Sequence, residues 1–163
     1  MFRRHGVEFL LVGGGAAIAH GATRPTADLD FLPMTSRANL ECLCGALREL
    51  NARLRIGGLS DDEARQLPSA IGIDFFERTS ISTWTTDAGD VDILLEMPDR
   101  AGERWPYEHY VERSASGLFA GATVRVAALS DIVASKEFAD REKDQRALPE
   151  LRDLLRRQIP PAT

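Results

Sequence analysis

The chain has 163 residues, 44% of them hydrophobic and 28% charged, which is the make-up of a globular protein with a real core and the length of a single domain. That composition excludes a low-complexity or disordered chain, and no internal repeat or linker divides it. The formal net charge of -5 gives no bulk attraction to nucleic acid, so an RNA or DNA partner has to be met by a local basic patch.

The first residues, Met-Phe-Arg-Arg-His-Gly, lead into an apolar run too short for a signal segment or a membrane span. A cytoplasmic protein with no membrane partner is the expectation. Glu8 to Val12 (EFLLV) predicts a buried strand, closed by Gly13, Gly14 and Gly15. Ala16 to His20 offers one or two turns of helix, which Gly21, Thr23, Pro25 and Thr26 break. Asp28 to Leu32 (DLDFL) then reads as a second strand with alternating acidic and apolar positions.

Ser36 starts an amphipathic helix that runs to Leu50, with Leu40, Leu43, Leu47 and Leu50 at helical spacing. Its Cys42 and Cys44 point to different sides, which suits neither a disulfide nor a zinc site. Arg53 to Ile56 is a short strand candidate. Gly57 to Arg78 combines a helix start at Ser60 with breaks at Pro68 and Gly72, and reads as mixed helix and loop. Ser82 to Thr86 and Val91 to Leu95 predict two strands joined through Asp87-Ala88-Gly89-Asp90 as a hairpin. Pro98 to Gly117 is a polar excursion in which Trp105, Tyr107 and Tyr110 pin the loop or stack on a base. Thr123 to Ala127 is another strand candidate. Ser130 is expected to cap a helix to about Asp140, and a last helix runs from about Pro149 to Gln158. One domain over 1–163 is expected, with a sheet-containing core over 1–127 and C-terminal helices over 128–163.

Asp28 and Asp30 carry the chemistry. Side chains two apart on a strand share a face, so the two carboxylates stand side by side and repel unless a cation lies between them. Hard oxygen donors of this kind suit Mg²⁺ or Mn²⁺, which bind through one or two carboxylates together with substrate phosphates. A solvated edge strand shows the same pattern without function. The upstream glycines favour the functional reading, because a glycine turn between strand and helix lets a phosphate approach backbone N–H groups closely; a tight turn with positive φ is the structural alternative. A second acidic pair, Asp90 and Asp92, follows the hairpin. Asp92 lies inside the apolar strand, where an unpaired carboxylate is costly, so a metal or cation partner is expected for it. As a third carboxylate it would complete a two-metal site or take the proton of an attacking hydroxyl. Asp90, nearer the turn, is expected to be solvated.

The run VGGGAAIAHGATRPTADLDF, from Val12 to Phe31, resembles the signature of the nucleotidyltransferase superfamily, which has the polymerase-β-type fold, in the form found in AbiEii-like toxin proteins. The run LSDIVASKEFADREKDQRALPEL, from Leu129 to Leu151, is similar to that group's closing pattern of Ser-Asp, a helical Lys and Arg-x-Lys-Asp. The resemblance implies an α/β (α+β) fold with a small mixed sheet, flanking helices and a C-terminal helical segment. It also implies metal binding by Asp28, Asp30 and Asp92, and a catalytic Lys136 that faces the triphosphate. Gly14, Gly15, Arg24, Thr26, Lys143 and Asp144 are the substrate-binding positions it marks. The activity implied is transfer of an NMP group from a nucleoside triphosphate to a tRNA 3′ end or a protein hydroxyl, with release of pyrophosphate. The chain would then be the toxin half of a toxin–antitoxin pair, with a cognate antitoxin as partner.

The serine that many superfamily members carry at the glycine turn is replaced here by Gly14-Gly15-Ala16. A module that keeps this fold, lacks catalysis and binds a cognate protein is the second reading. A dinucleotide-binding turn is the third, and it fails because Ile18 stands where G-x-G-x-x-G requires glycine. His5, His20 and His109 lack a second ligand at metal spacing and read as structural or solvated, with His20 near enough to the site to touch substrate. Asp131 reads equally as an early-helix acid favoured by the helix dipole or as a catalytic group. Arg152, Arg156 and Arg157 form a solvated face or meet RNA phosphate.

Overall fold

The computed structural model describes residues 1–58, 63 and 71–158. A turn of 3-10 helix at Phe2–His5 precedes β1 (Phe9–Val12), α1 (Gly13–Ala19), β2 (Asp28–Pro33), α2 (Arg37–Glu49) and β3 (Arg53–Leu54). After the partly described stretch come α3 (Ile73–Phe76), β4 (Ile81–Thr86) and β5 (Gly89–Leu94). The helix start expected at Ser60 lies outside the described residues. The second half holds β6 (Met97–Pro98), β7 (Arg104–Trp105), α4 (Tyr107–Val111), β8 (Ala115–Phe119), β9 (Ala122–Val126), α5 (Leu129–Ala139) and α6 (Glu142–Gln158).

A seven-stranded mixed sheet, in the order β3-β4-β5-β2-β1-β9-β8, organises these elements. β1 pairs antiparallel with β2, so the Rossmann-type parallel arrangement is absent at that pair. β2 runs parallel to β5, and β1 parallel to β9. On one face, Leu10, Val12 and Leu32 pack with Ala16 of α1, Ile132 and Val133 of α5, and Leu148 and Leu151 of α6. On the other, Phe9, Trp84, Val91 and Ile93 pack with Leu40, Leu43 and Leu47 of α2. β1 is buried along its whole length, as its unbroken FLLV run predicts for a strand covered on both sides.

Local chemistry explains the boundaries. Ser36 caps α2 by accepting from the Asn39 backbone N–H, and the Asn39 side chain in turn bonds Glu8 N, Glu8 O and Met34 O, tying the helix to β1 and the end of β2. The β4–β5 connection is shorter than expected: Thr86 pairs with Gly89, leaving Asp87 and Ala88 as the turn. The excursion after Pro98 is also more structured than its polarity suggested. It contains the β6–β7 pair, α4 and β8, which joins β9 through Ala120 and Gly121, both at positive φ, as a two-residue hairpin demands. The aromatics there do pin the segment: Tyr110 donates to Met97 O at 2.8 Å, and Trp105 stacks on His109 and donates to Asp99.

Two helix starts differ from expectation. α5 begins at Leu129 after Ala128, so Ser130 is not its cap. α6 begins at Glu142 rather than near Pro149, and Pro149 sits inside it.

Candidate active site

Three chain ends meet at one edge of the sheet. β1 stops at Val12, which lies beside Asp30, while β2 and β5 both start there, in a parallel register that sets Asp28 beside Asp90 and Asp30 beside Asp92. Asp28, Asp30 and Asp92 line a cleft of about 210 Å³. The strand turn contributes Gly13 and Gly14, the loop before β2 contributes Arg24 and Thr26, and α5 and α6 contribute Lys136 and Lys143 with Arg141 between them. Asp90 takes another path: it pairs with Arg55 at 2.8 Å rather than standing free in solvent.

Crowding of the carboxylates shows in their electrostatics. Asp30 is pushed up to about 6, first by burial, then by the charges of Asp28 and Asp92; the Gly14 N–H and Lys143 pull the other way without compensating. Thr26 Oγ1 donates to the Asp28 backbone oxygen and lies 3.1 Å from Asp28 Oδ1, fixing the first residue of β2. Oδ1 of Asp92 is buried and has no hydrogen-bond partner among the described residues. An unsatisfied anionic oxygen of this kind is a cost that a cation removes.

The glycine turn has a different arrangement from the one expected. Gly13 sits at φ +57, and a Cβ there would lie 1.9 Å from Asp30 Oδ2. Gly14 packs as closely, its would-be Cβ 2.4 Å from Thr26 Oγ1, and its N–H points at Asp30 Oδ2 at 3.3 Å. The turn therefore orients a carboxylate as well as facing the cleft. Gly15 does not line the cleft: it is buried against Leu11 and Leu29 and serves helix packing.

The cations are held by a residue that is itself hidden. Asp144 is fully buried and accepts from Lys136 Nζ at 2.9 Å and from Arg141 Nε at 2.7 Å. Burial pushes its carboxyl up, yet the bonds from Arg141 and Lys136 outweigh this and hold it below the usual carboxylate range. Asp144 thus stands behind the cleft wall, paired with two of the cations that line the cleft.

The chain matches, over residues 2–155, the family described as "Nucleotidyl transferase AbiEii toxin, Type IV TA system". It belongs to the AbiEii nucleotidyl transferase family. No curated protein sequence matches it. Two solved structures of the same polymerase-β-like fold resemble it. The lincosamide antibiotic adenylyltransferase LnuA, lincomycin-bound, has a TM-score of 0.60 at 13% identity and matches 94% of this chain and 90% of that one. ANT(2")-Ia in complex with adenylyl-2"-tobramycin has a TM-score of 0.59 at 17% identity, covering 94% and 82%.

Whether the residues of this AbiEii family member fit a divalent ion is answered by its donors. Among the described residues no group of three or more His, Cys, Asp and Glu side chains forms a ready-made metal cage. Mg²⁺ needs none, because it keeps several waters and uses one or two carboxylates plus phosphate oxygens. The orphaned Asp92 oxygen beside Asp30 and the mutual repulsion that burdens Asp30 are what such an ion relieves. The donor set fits.

Sequence reasoning missed two site residues. Arg141 was present in the quoted Arg-x-Lys-Asp run, and its spacing of three from Asp144 carried the signal that the two side chains meet. Gly13 was passed over for its neighbours; only the fold shows that Asp30 fills the space beside it. Elsewhere, His20 bonds the Ala127 carbonyl, Asp131 pairs with Arg113, and Arg152 pairs with Glu137, so these are structural partners. Among the described residues, no helix is long and apolar enough to cross a membrane.

Proposed function

We propose that this protein transfers an NMP group from a nucleoside triphosphate, in the presence of Mg²⁺ or Mn²⁺, to a hydroxyl of a tRNA 3′ end or of a protein, and that it acts as the toxin of a toxin–antitoxin pair. One observation carries the reading. The parallel register of β2 and β5 gathers Asp28, Asp30 and Asp92 opposite Lys136, Arg141 and Lys143, with a glycine turn alongside. Acids that hold a cation face bases that neutralise phosphate.

Bound at the carboxylates, the divalent ion would supply Lewis acidity at the α-phosphate and orient it for in-line displacement. The rest belongs to the chain. Asp92 accepts the proton of the attacking hydroxyl on the carboxylate oxygen that does not face the ion. The new bond joins that oxygen to the α-phosphorus, and the bond from the α-phosphorus to the bridging oxygen breaks. Pyrophosphate leaves with the electron pair, its charge met by Lys136, Arg141 and Lys143. Gly13 and Gly14 keep the turn bare of side chains, so that phosphate reaches the cleft.

Incubation with each α-labelled triphosphate, Mg²⁺ and either total tRNA or cell extract tests this. Label on tRNA or on a protein band supports the reading and names the acceptor class. Absence of label with all four triphosphates, together with no metal-dependent nucleotide binding by calorimetry, refutes it in favour of a protein-binding module.

A further inference from the structure

The two edges of the seven-stranded sheet are finished differently. At one, β3 is two residues long and one of them is Arg53, so it offers little to a passing strand. At the other, β8 has neither device: Ala115-Ser116-Gly117-Leu118-Phe119 contains no charge and no proline, and Leu118 is 71% exposed. The hairpin fixes which backbone groups of β8 are available. Phe119 and Ala122 flank the two-residue turn and exchange both of their N–H and C=O groups, and alternation along the antiparallel ladder makes Gly117 with Val124 and Ala115 with Val126 the other bonded pairs. The N–H and C=O groups of Ser116 and Leu118 therefore point away from β9, and among the described residues no backbone group of another element bonds them. Gly117 faces Ala19 of α1, so the side chains of Ser116 and Leu118 stand on the opposite face of the sheet.

We infer that β8 pairs antiparallel with β8 of a second copy of this chain, about a twofold axis at Gly117, joining two sheets into one. The occupant is identified by self-complementarity. In this register Ser116 of each copy lies opposite Leu118 of the other, and both pairs exchange N–H···O bonds, so every outward backbone group of the two strands is used. The side chains agree with the backbone. Leu118 meets Ser116, Phe119 meets Ala115, and glycine meets glycine at the axis, where a non-hydrogen-bonded pair brings the chains to about 4.5 Å. Each bulky residue thus faces a small one, and the two exposed Leu118 side chains lie diagonally on one face, where they cover each other. With no charge in the strand, the twofold brings no like charges together. Neighbouring registers fail. Centring on Leu118 opposes Ser116 to Ala120, which is held at φ +47 in the turn, and centring on Ser116 opposes Leu118 to Ser114, whose N–H already bonds the Val111 carbonyl. Five residues a side are few beside the roughly 20–30 of a standard interface, so the dimer is concentration-dependent.

Sedimentation of the full chain from about 1 μM to about 1 mM tests this, with hydrogen exchange read by NMR at individual amides over the same range. Three variants accompany the wild type. Ser116→Pro removes an outward N–H that β9 does not use, Leu118→Lys sets two like charges near the axis, and Ile81→Lys adds the same charge at an exposed apolar site on β4; circular dichroism checks folding. The wild-type mass should rise toward twice that of one chain, with the Ser116 and Leu118 amides gaining protection in step. Ser116→Pro and Leu118→Lys should each move the midpoint to about tenfold higher concentration or beyond, and Ile81→Lys should follow wild type. A wild type that stays monomeric throughout overturns the inference and leaves the edge to a strand of another protein. A dimer that forms without protecting those two amides, or that persists unchanged in both edge variants, also overturns it, because the copies then meet through a different surface.

Discussion

Asp30→Asn should make the metal-free protein more stable while abolishing turnover. Asp30 is pushed up to about 6, chiefly by burial and then by Asp28 and Asp92, and raising a carboxyl from about 4 to about 6 corresponds to about 3 kcal/mol of unfavourable ionisation in the folded state. A carboxyl raised on folding contributes stability that is fully present below its unfolded value near 3.9, and that is lost as the pH rises through about 6. Asparagine does not titrate and its side-chain oxygen still accepts from the Gly14 N–H. The variant should therefore match wild type near pH 4 and exceed it by up to about 3 kcal/mol above pH 7, with about half of the difference already present at pH 5. Urea denaturation in EDTA at pH 4, 5, 6 and 8 measures the gap. Added Mn²⁺ should then raise the wild-type midpoint and leave the variant unmoved, because a ligand that binds only the native state adds stability by mass action. A gap of constant size across that pH range would refute the electrostatic account of the site. A variant stabilised equally by Mn²⁺ would refute the assignment of Asp30 as a metal donor.

Other residues separate into those that shape the cleft and those that hold it. Gly13→Ala forces a side chain into left-handed backbone at about 1–2 kcal/mol and displaces Asp30 from the site, so turnover should be lost with a lowered melting temperature. Gly15→Ala, which crowds only Leu11 and Leu29, should lower the melting temperature while leaving the KM for triphosphate unchanged, and an altered KM would return Gly15 to the phosphate site. Asp144→Asn keeps one acceptor oxygen but sets an amide N–H₂ against one of the two cations, Lys136 or Arg141, and removes the buried charge between them, costing about 1.5–3 kcal/mol; calorimetry should also show weaker triphosphate binding, and wild-type values for both would exclude its positioning role. Glu150 accepts from both the backbone N–H and the hydroxyl of Thr23 at 2.8 Å, pinning to α6 the loop that carries Arg24 and Thr26. Glu150→Ala should raise the KM severalfold with a smaller change in kcat, and Glu150→Gln, which still accepts both bonds, should restore it.

What the sequence disclosed and what it concealed follow from the range of the interactions. β1, the glycine turn, β2 and α2 are legible because each is specified locally: an unbroken apolar run, three glycines, an alternating strand and a serine cap with leucines at helical spacing. The start of α6 is hidden because Pro149 resembles a first-turn proline, and the true start at Glu142 lacks an apolar residue to mark it. β8 is hidden for another reason. ASGLF has a glycine, and exposed residues alternate poorly along it, so its strand character comes from pairing with β9 at the sheet edge. The burial of Asp144 is hidden as well, because charge alone does not distinguish a group that meets substrate from one that pairs with neighbouring cations.

The convergence of the three carboxylates depends on strand pairing and register, which no local pattern encodes. Two Asp-x-Asp strands are consistent with parallel or antiparallel pairing and with several registers, and the parallel register found here sets Asp28 beside Asp90 and Asp30 beside Asp92. The tight turn at Asp87 and Ala88 makes β4 the antiparallel partner on one side of β5, leaving the other side open to β2. β2 reaches it in parallel because α2, capped at Ser36 and anchored through Asn39, carries the chain back across the sheet before β3 and β4 are laid down. Gly13 completes the arrangement: only a residue free to take φ +57 without a Cβ lets the chain leave β1 and enter α1 beside Asp30. Hence the acidic edge is a product of the crossover through α2, and a change that loosens Asn39 should disturb the spacing of Asp30 and Asp92 although it touches neither.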